Sequence, residues 1–168
     1  LAGAAIGGPF SLIDQDGKPV TEANYAGRYR AIYFGYSFCP DVCPTTLLKL
    51  MQGTKAFAAK SPALAGKLVP IFITVDPDRD TPPILKQYVA AFGPGLVGLT
   101  GTPAEIARVA KEYGTYYKKQ PAAAGASGYM MDHSSQVILF GPDGKPIVLL
   151  PADQSGDAVA QTLSDWVR

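Results

Sequence analysis

Cysteine is scarce in this chain. Two residues in 168 cannot build a disulfide scaffold, nor a structural zinc site made of three or four cysteines. Histidine is scarcer still, at one. An excess of one charge is also missing: 15 Lys and Arg face 14 Asp and Glu, so no large field steers the chain onto nucleic acid or an anionic membrane. Charged residues make up only 17%, while apolar residues reach 47%, which excludes disorder and leaves room for a slightly apolar surface. No apolar run nears the roughly 20 residues that span a bilayer; the longest is LVPIFITV, Leu68 to Val75. The chain opens on Leu1 in LAGAAIGG, without Met or a basic segment, so the expectation is either that an upstream segment has been removed or that the sequence begins inside a longer protein, with room for an anchor or signal ahead of it. The length fits one globular domain over residues 1–168.

What is present alternates between two periods. Asp16-Gly17 in DQDGKPV marks a hairpin that opens the domain. RAIYFGY, Arg30 to Tyr36, is apolar on both faces and predicts a buried central strand, and Leu68 to Val75 predicts a second. Between them Pro44 starts a helix with Leu47, Leu48, Met51 and Ala58 inward, ending near Lys60, with Cys43 at its N-terminus. Thr81 caps a helix through Pro82 and Pro83 to about Phe92. Leu96 to Leu99 is a short strand, and Thr102-Pro103 opens a helix that Tyr113-Gly114 stops. PAAAGASG, Pro121 to Gly128, reads as a loop. VILF, GPDG and IVLL form a second hairpin, and a last helix from Ser155 turns Val159, Leu163, Trp166 and Val167 inward. This pattern predicts an α/β domain of the thioredoxin-like class: a central mixed sheet flanked by helices, with an added N-terminal hairpin.

The chemistry concentrates in Cys39-Pro40-Asp41-Val42-Cys43. A spacing of four puts both sulfurs on one side of a forming helix turn, close enough to share an ion or to oxidise together. The positive end of a helix dipole favours thiolate, which is both nucleophile and metal ligand. A structural disulfide is the plainer reading, but closing so short a loop stabilises little. The spacing is not the CxxC of thioredoxins, and Pro44 stands where haem attachment wants a His. His133, in Tyr129-Met130-Met131-Asp132-His133-Ser134-Ser135, precedes the strand of the last hairpin. In a thioredoxin-like fold that loop lies against the loop after the first central strand, so His133 can reach both cysteines. Two thiolates and an imidazole suit trigonal Cu(I), and Cu(II) would add water or a carboxylate. Zinc in the same donors would leave an open catalytic position, yet no general base for hydrolysis is evident.

YSFCPDVCPTTL, VDPDRDTP and YMMDHSSQVILF, in this order, resemble the Sco/SenC/PrrC proteins, copper-binding assembly factors for cytochrome oxidase with a thioredoxin-like fold. The resemblance runs from the FSLIDQDGKPV hairpin to the terminal helix. It implies Cys39, Cys43 and His133 as ligands of one copper, Cu(I) or Cu(II), delivered to the dinuclear copper centre of cytochrome c oxidase subunit II. It also implies a thioredoxin-like reductant as partner, a further periplasmic copper carrier, and a membrane anchor ahead of Leu1. The domain would then face the bacterial periplasm from the inner membrane, or the mitochondrial intermembrane space. Asp76 and Asp78 of DPDRD match the family's acidic loop and also suit a turn with a helix cap. Asp41 either orients a ligand or partner or is merely solvated, and Asp132 is the expected holder of the His133 tautomer. Met130 and Met131 are expected mainly to pack, as are Tyr33, Tyr36, Tyr116, Tyr117 and Tyr129. The competing reading is an enzyme, a thiol:disulfide oxidoreductase using Cys39 and Cys43 as redox-active residues without His133. Thioredoxins carry a cis-proline where this chain has Asp132-His133, which favours copper. A redox or copper sensor would use the same residues.

Overall fold

The computed structural model describes residues 1–40, 42–121 and 128–168. Asp41 and residues 122–127 of the expected PAAAGASG loop therefore lie outside the described residues. Two apolar runs make the centre of the sheet. β3 (Tyr29–Gly35) pairs in parallel with β4 (Leu68–Thr74), from Tyr29 opposite Leu68 to Gly35 opposite Thr74, and all but the first residue of β4 is buried along both. Parallel neighbours need a crossover, supplied here by α1 (Val42–Lys60). After α2 (Pro82–Ala90), β5 (Val97–Thr100) adds in parallel beyond β4. The N-terminal hairpin, β1 (Ser11–Asp14) and β2 (Pro19–Thr21), joins β5 antiparallel, and Gly17 makes its turn at φ +79°. After α3 (Pro103–Glu112) comes β6 (Tyr117–Gln120), which among the described residues pairs only with β7 (Met130–His133). β8 (Val137–Phe140) then runs antiparallel to β3, and β9 (Pro146–Leu150) forms the far edge. The order β2-β1-β5-β4-β3-β8-β9 is a mixed sheet flanked by helices, the thioredoxin-like arrangement.

The helix ends follow their cap chemistry. Thr102 accepts the Glu105 N–H at the start of α3, and Ser155 accepts the Ala158 N–H at the start of α4 (Gly156–Trp166). Thr81 occupies the cap position of α2 without a side-chain bond. Pro82 and Pro83 bring no N–H, so fewer donors need a cap there. Two expected inward residues face outward. Leu48 is exposed while Leu47, Leu50 and Phe57 carry the buried face of α1, and Trp166 is exposed while Val167, just past α4, is buried.

α1 and α4 pack on each other through glycine. A Cβ on Gly53 would lie 2.5 Å from Val159 Cβ and 2.9 Å from the Gly156 carbonyl. Gly53→Ala is therefore expected to cost about 1–3 kcal/mol through overpacking. In a domain of this size that lowers the thermal midpoint by about 2–4 °C per kcal/mol. The contact is remote from both cysteines, so the expected effect is on stability alone; melting curves followed by circular dichroism check it.

Candidate metal centre

The loop after β3 carries Cys39, whose N–H donates to the Tyr36 carbonyl at 3.2 Å. Its sulfur accepts the Cys43 N–H at 3.4 Å, so the spacing of four closes the first turn of α1 around a thiol. Cys39 is partly exposed and Cys43 fully buried, and the two stand as thiols. Cys43 Sγ rests on the end of β3, where a Cβ on Gly35 would come within 2.8 Å of it.

His133 ends β7, a strand where a loop is expected. Its Nε2 lies 3.2 Å from Cys43 Sγ, and its Nδ1 lies 2.8 Å from the Ser134 carbonyl. A carbonyl can only accept, so Nδ1 carries the proton and the Nε2 lone pair points at the sulfurs. Tyr33 and Tyr36 stand edge-on to the imidazole, with ring centroids 6.1 and 5.7 Å away. The donor atoms of Cys39, Cys43 and His133 all lie within 4.8 Å of one another, an arrangement able to hold one metal ion.

The helix-end argument predicts a lowered thiol pKa at Cys43, and the structure reverses it. Hydrogen bonding with the Cys39 sulfur, then burial, push the Cys43 thiol up. At His133 burial opposes the charged form, but Cys39, the Ser134 carbonyl and the Asp132 charge outweigh it, so its pKa lies above the ordinary value. The Cys43 thiol thus holds a proton that a metal must displace, and below its raised pKa the imidazolium form of His133 holds another on Nε2.

The acidic loop flanks the site without offering a ligand to it. Asp76 is buried and takes Arg79 Nε at 2.5 Å and the Tyr129 hydroxyl at 2.6 Å. Asp80, the last residue of the same segment, is fully buried and accepts from Thr74 Oγ1 at 2.6 Å, from Ser37 N–H at 2.9 Å and from the Ser37 hydroxyl. Asp78 is exposed. Asp132 is exposed too and accepts from Gln120 Nε2 at 2.8 Å; the Ser134 carbonyl, not Asp132, holds the His133 tautomer. Met130 and Met131 point to opposite faces, as alternation along a strand requires. Met131 packs and Met130, against expectation, is exposed. Tyr33 and Tyr36 are core residues, Tyr117 and Tyr129 are partly buried, and Tyr116 lies at the surface. Sequence reasoning places the whole DPDRD segment beside the site without singling out Arg79 or Asp80, and it passes over Ser37; the only signal is the density of charge in DPDRD and its place after a buried strand.

Known proteins resemble this chain in sequence and fold. The SCO1/SenC family model matches residues 1–168. The mitochondrial SCO1 homolog 1 of Arabidopsis thaliana is 46% identical over 140 residues, covering 83% of this chain and 40% of the relative. The chain spans about half the length of the curated relatives it matches. Bradyrhizobium japonicum ScoI with copper bound superposes with a TM-score of 0.86 at 42% identity, over 97% of this chain and 100% of that one. Arabidopsis thaliana ScoI with copper bound gives 0.87 at 41%, over 96% and 97%. With a family match along its whole length and close structural relatives solved with copper, the chain belongs to the SCO1/SenC family.

Proposed function

We propose that this domain is a copper chaperone that binds one copper ion through Cys39 Sγ, Cys43 Sγ and His133 Nε2. It delivers that ion to the dinuclear copper centre of cytochrome c oxidase subunit II during assembly. The observation that carries this reading is the imidazole: Nδ1 is committed to the Ser134 carbonyl while Nε2 faces Cys43 Sγ at 3.2 Å. Two sulfurs and one nitrogen match the preference of soft Cu(I) for trigonal coordination, and Cu(II) takes an added water or carboxylate. The relatives solved with copper support the choice of metal, and a more distant one is described within the Sco family of cytochrome c oxidase assembly proteins. Copper is cargo here, so no turnover is required.

The chain's own part in transfer follows from exposure. Cys43 and His133 hold the ion from the buried side, while the partly exposed Cys39 is the donor that an incoming sulfur on the acceptor can displace first. The working partners are subunit II, a copper carrier that loads the site, and a thioredoxin-like reductant that keeps both thiols reduced. The place of work is the extracytoplasmic face of a membrane, with an anchor ahead of Leu1. A second reading, thiol:disulfide exchange on the oxidase cysteines, draws on the closeness of the two thiols and does not need His133.

Anaerobic competition titration with Cu(I) and Cu(II), run on reduced protein, disulfide-oxidised protein and His133→Ala, separates the two. One tight equivalent is expected in the reduced form and collapse in both controls; His133→Ala binding as tightly as the parent would install the dithiol reading instead. Affinity should weaken steadily as pH falls. Cys43 and His133 both hold their protons to higher pH than ordinary thiols and imidazoles, so the ion must displace them and acid competes with it. An affinity independent of pH would contradict this donor set.

A further inference from the structure

The ribbon of β6 and β7 that carries His133 is not part of the seven-stranded sheet. An isolated two-stranded ribbon is marginally stable. The placing of Nε2 against the sulfurs therefore depends on links between β7 and the loops around it. One is the Met131 N–H, donated to the Tyr36 hydroxyl at 3.1 Å. Several others converge on one side chain, Arg79, through its Nε, its Nη1 and the face of its guanidinium. Nε bonds Asp76 at 2.5 Å, Nη1 donates to the Tyr129 carbonyl at 2.9 Å, and the guanidinium carbon lies 3.7 Å from the centre of the Tyr129 ring. On the cysteine side the same carbon lies 4.6 Å from the Phe38 ring, next to Cys39, and 5.8 Å from the Tyr36 ring. The Tyr129 hydroxyl returns to the other Asp76 oxygen at 2.6 Å, closing the loop of contacts.

We propose that Arg79 is a positioning residue for copper: with Asp76 it clamps the start of β7 onto the Tyr36–Cys39 loop, and so fixes the distance from His133 Nε2 to the two sulfurs. The inference rests on the three-donor site. The Arg79 contacts described above are with Asp76, Tyr129, Phe38 and Tyr36, and its effect passes through Tyr129 and the strand that ends in His133. Lysine is an incomplete substitute, since a point charge can sit over the rings but cannot bond Asp76 and the Tyr129 carbonyl through one planar fork.

A double-mutant cycle tests the clamp. Arg79→Gln should lower Cu(I) affinity about 10- to 100-fold, the range for groups that orient a ligand rather than supply it. Arg79→Lys should recover part of that loss. In His133→Ala, which keeps only the residual dithiol affinity, Arg79→Gln should change nothing further, because the residue through which Arg79 acts is gone. Metal-free protein gives an independent readout: amide exchange at residues 129–133 should accelerate in Arg79→Gln while β3 and β4 keep their protection. Wild-type affinity and unchanged exchange in Arg79→Gln would overturn the clamp, as would an equal loss in the His133→Ala background. If Arg79→Gln does not fold, Arg79→Lys decides through the same cycle. Should His133→Ala itself bind like the parent, the three-donor site fails; that outcome differs from Arg79→Gln binding normally beside a defective His133→Ala.

Discussion

Asp80→Ala is expected to cost this domain about 2–4 kcal/mol of folding stability, since a buried partner left unsatisfied costs about 1–3 kcal/mol and each further hydrogen bond lost adds about 1 kcal/mol. It should take most of the copper affinity with it. The carboxylate is fully buried and accepts from Thr74 Oγ1, the Ser37 N–H and the Ser37 hydroxyl. Alanine removes the acceptor, strands the buried Thr74 hydroxyl and releases both donors of the half-buried Ser37. Thr74 ends β4 and Ser37 lies two residues ahead of Cys39, so the carboxylate ties the cysteine loop to the neighbouring strand. Urea unfolding measures the first effect and Cu(I) competition the second. Asp80→Asn should fall between Asp80→Ala and the parent, because its amide oxygen still takes the Ser37 N–H while the amide nitrogen faces two hydroxyls. Asp78→Ala, two residues away at the surface, is expected to leave both measurements unchanged. Equal behaviour of the two alanine variants would mean that the buried carboxylate does not hold the loop.

This loop also marks the limit of reading the site from sequence. DPDRD is legible as a turn entering a helix, and it is one: Thr81 follows at the cap of α2. Which of its charges turn inward is set by contacts 43 to 53 positions away, from Asp80 to Ser37 and from Asp76 to Tyr129, and no local pattern carries that. The central strands were readable because burial on both faces leaves an unbroken apolar run. The ribbon was not, because YKKQ and MMDH are four residues each, polar in part, and without a hairpin signal at either end. Cys39, Cys43 and His133 could be brought together in thought because topology alone sets one loop against another. The finer electrostatics could not. Depth of burial decides whether Cys43 feels the helix end or its neighbouring sulfur more, and Ser134 rather than Asp132 meets Nδ1 because a strand turns successive side chains to opposite faces.

Gly35→Ala should separate fold from site in the opposite direction to Gly53→Ala. The new Cβ would lie 2.8 Å from Cys43 Sγ and 3.0 Å from both Phe72 Cε1 and Tyr33 Cε2. Neither ring has room to yield, for both are fully buried in the sheet's core. The sulfur is the atom left to move, and with it the first turn of α1. Overpacking of this kind costs about 1–3 kcal/mol, comparable with the cost expected at Gly53. The difference lies in what is displaced. Cys43 Sγ sits 3.2 Å from His133 Nε2, within a donor set that spans at most 4.8 Å, so a shift by a few tenths of an ångström degrades the trigonal arrangement itself. Cu(I) affinity in Gly35→Ala should drop about tenfold or more, equivalent to at least ~1.4 kcal/mol, while Gly53→Ala loses stability alone. Paired melting and competition experiments on the two variants make the comparison. If Gly35→Ala melts early yet holds copper as tightly as the parent, the end of β3 does not set the position of Cys43, and the start of α1 adjusts freely to the ion.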